Sequence, residues 1–210
     1  MLELARRDAE RVYVGKAPGC HSWPQEKITR TLVAAAKRGQ RVVRLKCGDP
    51  GVFGRSTEET DALKAHDIPF EIVPGVTAAC AAGASLGKSL TDRGAIDTLV
   101  LTTGHAENGC IVPEALKGIA PGTCVALYMA VKAAPQMIGY LSAHYPGVDF
   151  GVDIVARAQR RGQQALTCML EDLPDVLSEH EITGETMVLI RWNKTQFATE
   201  ERELPLAAVS

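Results

Sequence analysis

An α/β fold with a largely parallel sheet covered by helices is what this sequence predicts, and three observations lead there. Short β-type apolar runs alternate with longer stretches of helical periodicity. Glycine and proline punctuate the joints between them. Forty-six per cent of the 210 residues are apolar, enough for a substantial core and too many for a disordered chain.

In chain order, strands are expected over 11–14, 41–46, 70–73, 97–102, 123–128, 151–155, 164–169 and 186–191. Helices are expected over 24–38, 57–66, 77–86, 113–117, 134–144 and 173–179. In the first helix, Pro24 stands near N1 and Glu26 in the first turn. Ile28, Leu32, Ala35 and Ala36 recur at helical spacing, and Gly39 stands where a C′ glycine belongs. The run at 41–46 sets Val42, Val43 and Leu45 among basic residues and breaks at Cys47-Gly48-Asp49-Pro50-Gly51. The run at 70–73 breaks at Pro74-Gly75-Val76-Thr77, and Thr77 is placed to cap a helix of very small residues. The last strands leave room for antiparallel pairing. Thr91-Asp92-Arg93-Gly94 separates two αβ blocks, 1–93 and 94–192, and 193–210 reads as a loose tail.

Composition narrows the function. A net charge of −2 and few aromatics argue against nucleic-acid binding. Cysteines stand at 20, 47, 80, 110, 124 and 168 with no Cys-x-x-Cys pair, which fits buried thiols in a reducing, cytoplasmic setting. The five histidines have no ligand spacing, so no metal site is expected. The amino terminus has no secretory h-region, and no apolar run reaches transmembrane length.

Two loops are placed for chemistry, because open α/β sheets bind ligands at the carboxyl ends of strands. In the first, Gly48 and Gly51 let a ligand approach the main chain, and Asp49 could accept from hydroxyl or ammonium groups; a plain βα turn explains the same residues. In the second, the small side chains after Thr77 admit either a flat ligand or close helix–sheet packing. The stretch Ala82–Ser89, AGASLGKS, nearly spells a phosphate loop, but a helix precedes it where a strand should. Glu58 and Glu59 are helix neighbours that point different ways, so one of them is expected to face a site.

The stretches VVRLKCGDPGVFGRSTEE, FEIVPGVTAA, SLTDRG, LVLTTGH and VALYM occur in this order. Together they resemble the tetrapyrrole methylases over about residues 1–192, nearest to the branch that methylates uroporphyrinogen III. The resemblance implies two αβ domains with a cleft between them, a homodimer, and S-adenosylmethionine folded in that cleft. It implies that Cys47, Gly48, Asp49 and Val52 line the cofactor, with Asp49 toward its polar end, together with Thr77, Ala78, Met129 and position 158, here Ala158. Arg55 and Glu58 would continue toward the tetrapyrrole, with Arg55 anchoring carboxylates or orienting the reacting ring. Lys16, in VYVGK, matches a lysine assigned as a proton donor. Arg93, Lys46 and Arg30 are further possible anchors, each more readily read as a solvated surface charge. The implied reaction is methylation of uroporphyrinogen III to precorrin-2, for siroheme or cobalamin.

Relatives of this kind open with a strand, a glycine-proline-rich loop and an acidic proton acceptor. Met1 aligns inside their first domain, so a missing first strand and loop are expected. Cys47 stands where a glycine is usual, Asp92 where a histidine is, Ala158 where a glycine is, and Arg55-Ser56-Thr57-Glu58-Glu59 replaces Arg-Gly-Gly-Glu-Glu. Two alternatives stay open: methylation of a later precorrin, and a paralogue that binds a tetrapyrrole or partner without catalysis.

Overall fold

Helix α1 (Gln25–Lys37) starts directly after Pro24 and stops where its end signal lies. Gly39 takes a φ of 77°, and its N–H and that of Gln40 close on the carbonyls of Ala36 and Ala35. Helix α2 (Ser56–Lys64) packs against α1, with Ile28 buried. The computed structural model describes residues 2–15, 23–106 and 109–194, and divides into two units, Met1–Gly75 and Val76–Ser210. Helix α3 (Ala78–Leu86), which the sequence reading placed before its domain boundary, packs with the second unit.

The three strands expected in the first unit, 11–14, 41–46 and 70–73, join no ladder among the described residues. Val43, Tyr13 and Val73 are 77%, 70% and 69% exposed. An alternating pattern specifies which faces a backbone would present. A strand also needs a neighbour about 4.8 Å away to take its N–H and C=O groups, and no local run encodes that neighbour.

The second unit is built on β1 (Thr98–Thr103), β2 (His105–Ala106), β3 (Gly109–Cys110), β4 (Thr123–Tyr128), β5 (Gly151–Ala156), β6 (Gln164–Met169) and β7 (Thr186–Trp192). Five strands form a sheet in the order β1-β4-β7-β5-β6, while β2 and β3 pair with each other. The expectation of a largely parallel sheet is corrected. Among the described residues β1 pairs with β4 in parallel, and the other pairings of the sheet are antiparallel. Connection length accounts for the β5–β6 pair: its short link permits only a reversal, and a parallel crossover needs a dozen residues or more. The segment expected as a helix at 113–117 is a 3₁₀ turn, Glu114–Gly118. Helices α4 (Ala134–His144) and α5 (Leu173–Glu179) lie where expected.

The sheet has two buried faces. Val125 and Leu127 of β4, Val188 and Ile190 of β7, and Val152 and Ile154 of β5 meet Met137, Leu141, Leu173 and Leu177 of α4 and α5. Cys124, Ala126, Met187, Leu189 and Val155 face the other way, toward Ala79, Ala82 and Leu86 of α3. Small side chains on α3 therefore serve close helix–sheet packing. Helix α3 ends at Gly87, φ 63°, with the Lys88 N–H on the Gly83 carbonyl (3.0 Å). The near-match to a phosphate loop is thus a helix carboxyl end, whose free groups are carbonyls. Lys88 runs instead to buried Asp153 (2.6 Å), which also accepts from Thr167 (2.8 Å) and Arg191 (2.9 Å). None of the described helices is long and apolar enough to cross a membrane.

Candidate active site

In the first unit, the loop after residue 46 turns on a positive φ at Gly48 (70°), Phe53 (49°) and Arg55 (54°). Asp49 organises it. Its Oδ1 accepts from the Gly51 N–H (2.8 Å) and its Oδ2 from the Gly75 N–H (2.9 Å). The Gly75 and then the Gly51 bond hold the Asp49 carboxyl below its usual range, so it stays ionised at neutral pH. Asp49 thus ties its own loop to the Pro74-Gly75 loop. The two backbones meet closely: a Cβ on Gly75 would lie 2.3 Å from the Gly48 carbonyl oxygen. Cys47 beside them is exposed, and Val52 is half-buried.

Arg55 precedes α2 and closes a two-bonded fork onto Glu58, at 2.6 and 2.8 Å. The pair lines a cavity of about 490 Å³ together with Glu26, Thr29 and Arg30. The Arg55 bond keeps the Glu58 carboxyl low, so Glu58 is an acceptor there. Glu59 turns inward and is 4% exposed. It takes Gln25 (2.9 Å), Arg44 (3.2 Å) and Lys46 (2.9 Å), and Lys46 also donates to the Gly54 carbonyl. Lys46 is therefore an interior cross-link, neither a surface charge nor an open anchor. Lys16 lies outside the described residues.

In the second unit the strand directions gather the expected residues. β1 is parallel to β4, β4 antiparallel to β7, and β7 antiparallel to β5. The carboxyl ends of β1, β4 and β5 therefore share one edge of the sheet, where Tyr128 and Val155 stand on either side of Met187. Gly104, Met129 and Arg157-Ala158 follow at that edge. The start of α3 joins them: the Tyr128 hydroxyl bonds to the Thr77 hydroxyl and accepts the Ala79 N–H (3.3 Å). Thr77 was expected to cap α3 with its own side chain. Its hydroxyl is turned to Tyr128, and the phenol oxygen caps the helix from the sheet face that α3 packs on. Ala158 is half-buried, in a loop tied by Gln163 to Ser85 (2.8 Å) and to the Gln159 N–H (2.7 Å). Thr186, first in β7, has a buried hydroxyl with no hydrogen-bond partner among the described residues.

Backbone strain marks the same places. Among the described residues, seven non-glycine residues have positive φ. Asp67 and Glu181 are helix stops, followed by Ile68 and Ile182 bonding back to Leu63 and Leu177. The other five are Phe53, Arg55, Met129, Arg157 and Gln159. Each such conformation costs about 1–2 kcal/mol and persists only where its surroundings enforce it. All five lie in turns that contain expected site residues. Small Ala78 and Ala158, a strained turn at Met129 and an orphaned Thr186 hydroxyl fit a thin ligand with polar ends. Sequence reasoning missed Tyr128, although it stands in VALYM beside Met129. It missed Thr186 because nothing distinguishes the first residue of an apolar strand.

A family model described as Tetrapyrrole (Corrin/Porphyrin) Methylases matches residues 1–174. The siroheme synthase of Pseudomonas aeruginosa (strain LESB58) is 40% identical over 190 residues, covering 90% of this chain and 41% of that protein. That of Pseudomonas putida is 38% identical over the same coverage. This chain thus spans about two-fifths of the length of those relatives. Among solved structures, a uroporphyrin-III C-methyltransferase from Thermus thermophilus, complexed with S-adenosylhomocysteine, matches at a TM-score of 0.72 and 29% identity, over 88% of this chain and 77% of that one. A cobalt precorrin-4 methyltransferase matches at 0.71 and 25%, over 82% and 72%.

Proposed function

Because the chain belongs to the tetrapyrrole methylase family, we propose that it methylates a carbon of a tetrapyrrole with S-adenosylmethionine, converting uroporphyrinogen III to precorrin-2. It does so as a cytoplasmic homodimer. The observation that supports this reading most is the shared strand-end edge of the second unit, which gathers Thr77, Ala78, Met129 and Ala158. In the second unit Thr77, Ala78, Met129 and Ala158 would hold the cofactor; Cys47, Gly48, Asp49 and Val52 are the first unit's candidates for the same role. When bound, S-adenosylmethionine supplies an electrophilic methyl group on a sulfonium sulfur.

The chain's main task is orientation, because methyl transfer needs the attacking carbon, methyl and sulfur in line. A ring carbon would take the methyl with its own electron pair, leaving the sulfur as a neutral thioether, and the proton then lost by the macrocycle would need an acceptor on this chain. Arg55 meets the substrate's carboxylates with its planar fork, sharing or exchanging the bond it makes to Glu58. Glu58, held ionised, would accept the proton that the macrocycle loses; Lys16 would give a proton as the ring's double bonds shift and take one back, so that the net loss stays one proton per methyl.

The test is anaerobic incubation of the purified chain with S-adenosylmethionine and uroporphyrinogen III, read by mass spectrometry. Addition of two methyl groups is the expected result. Methylation of a cobalt precorrin alone would move the protein to a later step. Binding of the tetrapyrrole with no methylation of any substrate would make it a non-catalytic paralogue.

A further inference from the structure

We propose that the Tyr128 hydroxyl is a positioning group for the methyl donor, locking the turn after β4 to the amino end of α3; the inference rests on the function proposed above. Tyr128 immediately precedes Met129, whose backbone is left-handed (φ 53°). Its hydroxyl bonds to Thr77 and accepts the N–H of Ala79, on either side of Ala78. One oxygen thus fixes three of the proposed cofactor contacts, Thr77, Ala78 and Met129, relative to one another.

The ring adds rigidity. It belongs to the sheet face that packs α3, beside Ala126 and Met187, so hydroxyl and helix move together. Helix α3 has no acidic residue in its first turn and no cap from its own Thr77 side chain. The phenol therefore satisfies an amide that would otherwise face the site unpaired. A phenol is the more acidic of the two hydroxyls, so it donates to Thr77. That leaves the threonine hydrogen for an acceptor on the ligand. Tyr128 needs no contact with the ligand to act in this way.

The experiment is calorimetric titration of the whole chain with S-adenosylhomocysteine, alongside Tyr128→Phe, Thr77→Val and the double variant. Tyr128→Phe keeps the ring and removes one oxygen. It is expected to raise the Kd about fivefold, as loss of a neutral hydrogen bond does. Thr77→Val should raise it further, because it also removes the hydrogen offered to the ligand, and the double variant should lie little above Thr77→Val, because the Tyr128 effect runs through the contact already lost. Affinity for the tetrapyrrole should not change. Amide exchange measured by NMR without ligand should quicken at Ala79 in Tyr128→Phe.

A Kd within twofold of the parent with a lowered melting temperature would reduce Tyr128 to a structural role and overturn the inference. Additive single effects would overturn the shared contact. A Tyr128→Phe chain that does not fold leaves the decision to Thr77→Val, whose unchanged Kd would also overturn it. Parent protein that binds no S-adenosylhomocysteine removes the proposed function and this inference together.

Discussion

At position 49 a single carboxylate accepts main-chain N–H groups from Gly51 and from Gly75. A carboxylate suits this because both its oxygens are acceptors; an amide offers one oxygen and turns an NH₂ toward the second donor. Asp49→Asn is therefore expected to loosen one loop and weaken S-adenosylhomocysteine on the order of tenfold by calorimetry. An unchanged Kd would show that the loop junction does not shape the site. Gly75 has no tolerance of this kind, since any side chain would strike the Gly48 carbonyl. A glycine after proline is legible in the sequence as a turn. That it is also the point where two loops touch is not legible, because its partner lies far away in the chain.

Among elements, α2 shows how neighbouring residues diverge. Glu58 and Glu59 are consecutive, yet one faces a cavity with Arg55 and the other is buried under Lys46, Arg44 and Gln25. Burial alone would push the Glu59 carboxyl up; the bonds from Lys46 and Gln25 and the charge of Arg44 outweigh it and hold it low. Removing one partner of such a cluster leaves uncompensated charge inside. Glu59→Gln should cost about 3 kcal/mol in urea unfolding. A loss below about 1 kcal/mol would mean the cluster is solvated. Helical geometry made the divergence readable in advance, but not which glutamate faces inward. That depended on where the basic residues of 44–46 come to lie.

At the scale of the molecule, the two buried carboxylates, Glu59 and Asp153, contribute to the acid response. Asp153 is 1% exposed, and burial alone would raise its pKa; Lys88, Thr167 and Arg191 outweigh this, so it too lies low. Glu59 and Asp153 therefore bind protons more weakly folded than unfolded. Their contribution to stability is complete above the ordinary carboxylate range, near pH 4, and is lost as pH falls through their depressed folded values. Urea midpoints should be nearly level from pH 7 to 5 and fall steeply below about pH 4. The fall should be shallower in Glu59→Gln/Asp153→Asn. An equally steep fall in that variant would assign the acid response to other groups.

What the sequence determined by itself is local. Helix ends at Gly39 and Gly87 follow from residues within one turn, and the apolar runs of β4, β5 and β7 from their own composition. The five quoted stretches, each a short contiguous pattern, were enough for the family. Tertiary structure decided what depends on a distant partner: the antiparallel insertion of β7 between β4 and β5, the absence of ladders over 11–14, 41–46 and 70–73 among the described residues, the interior role of Lys46, and the phenol cap on α3. A hydrogen bond or ion pair is satisfied by whichever group arrives within about 3 Å, and chain topology alone brings that group there.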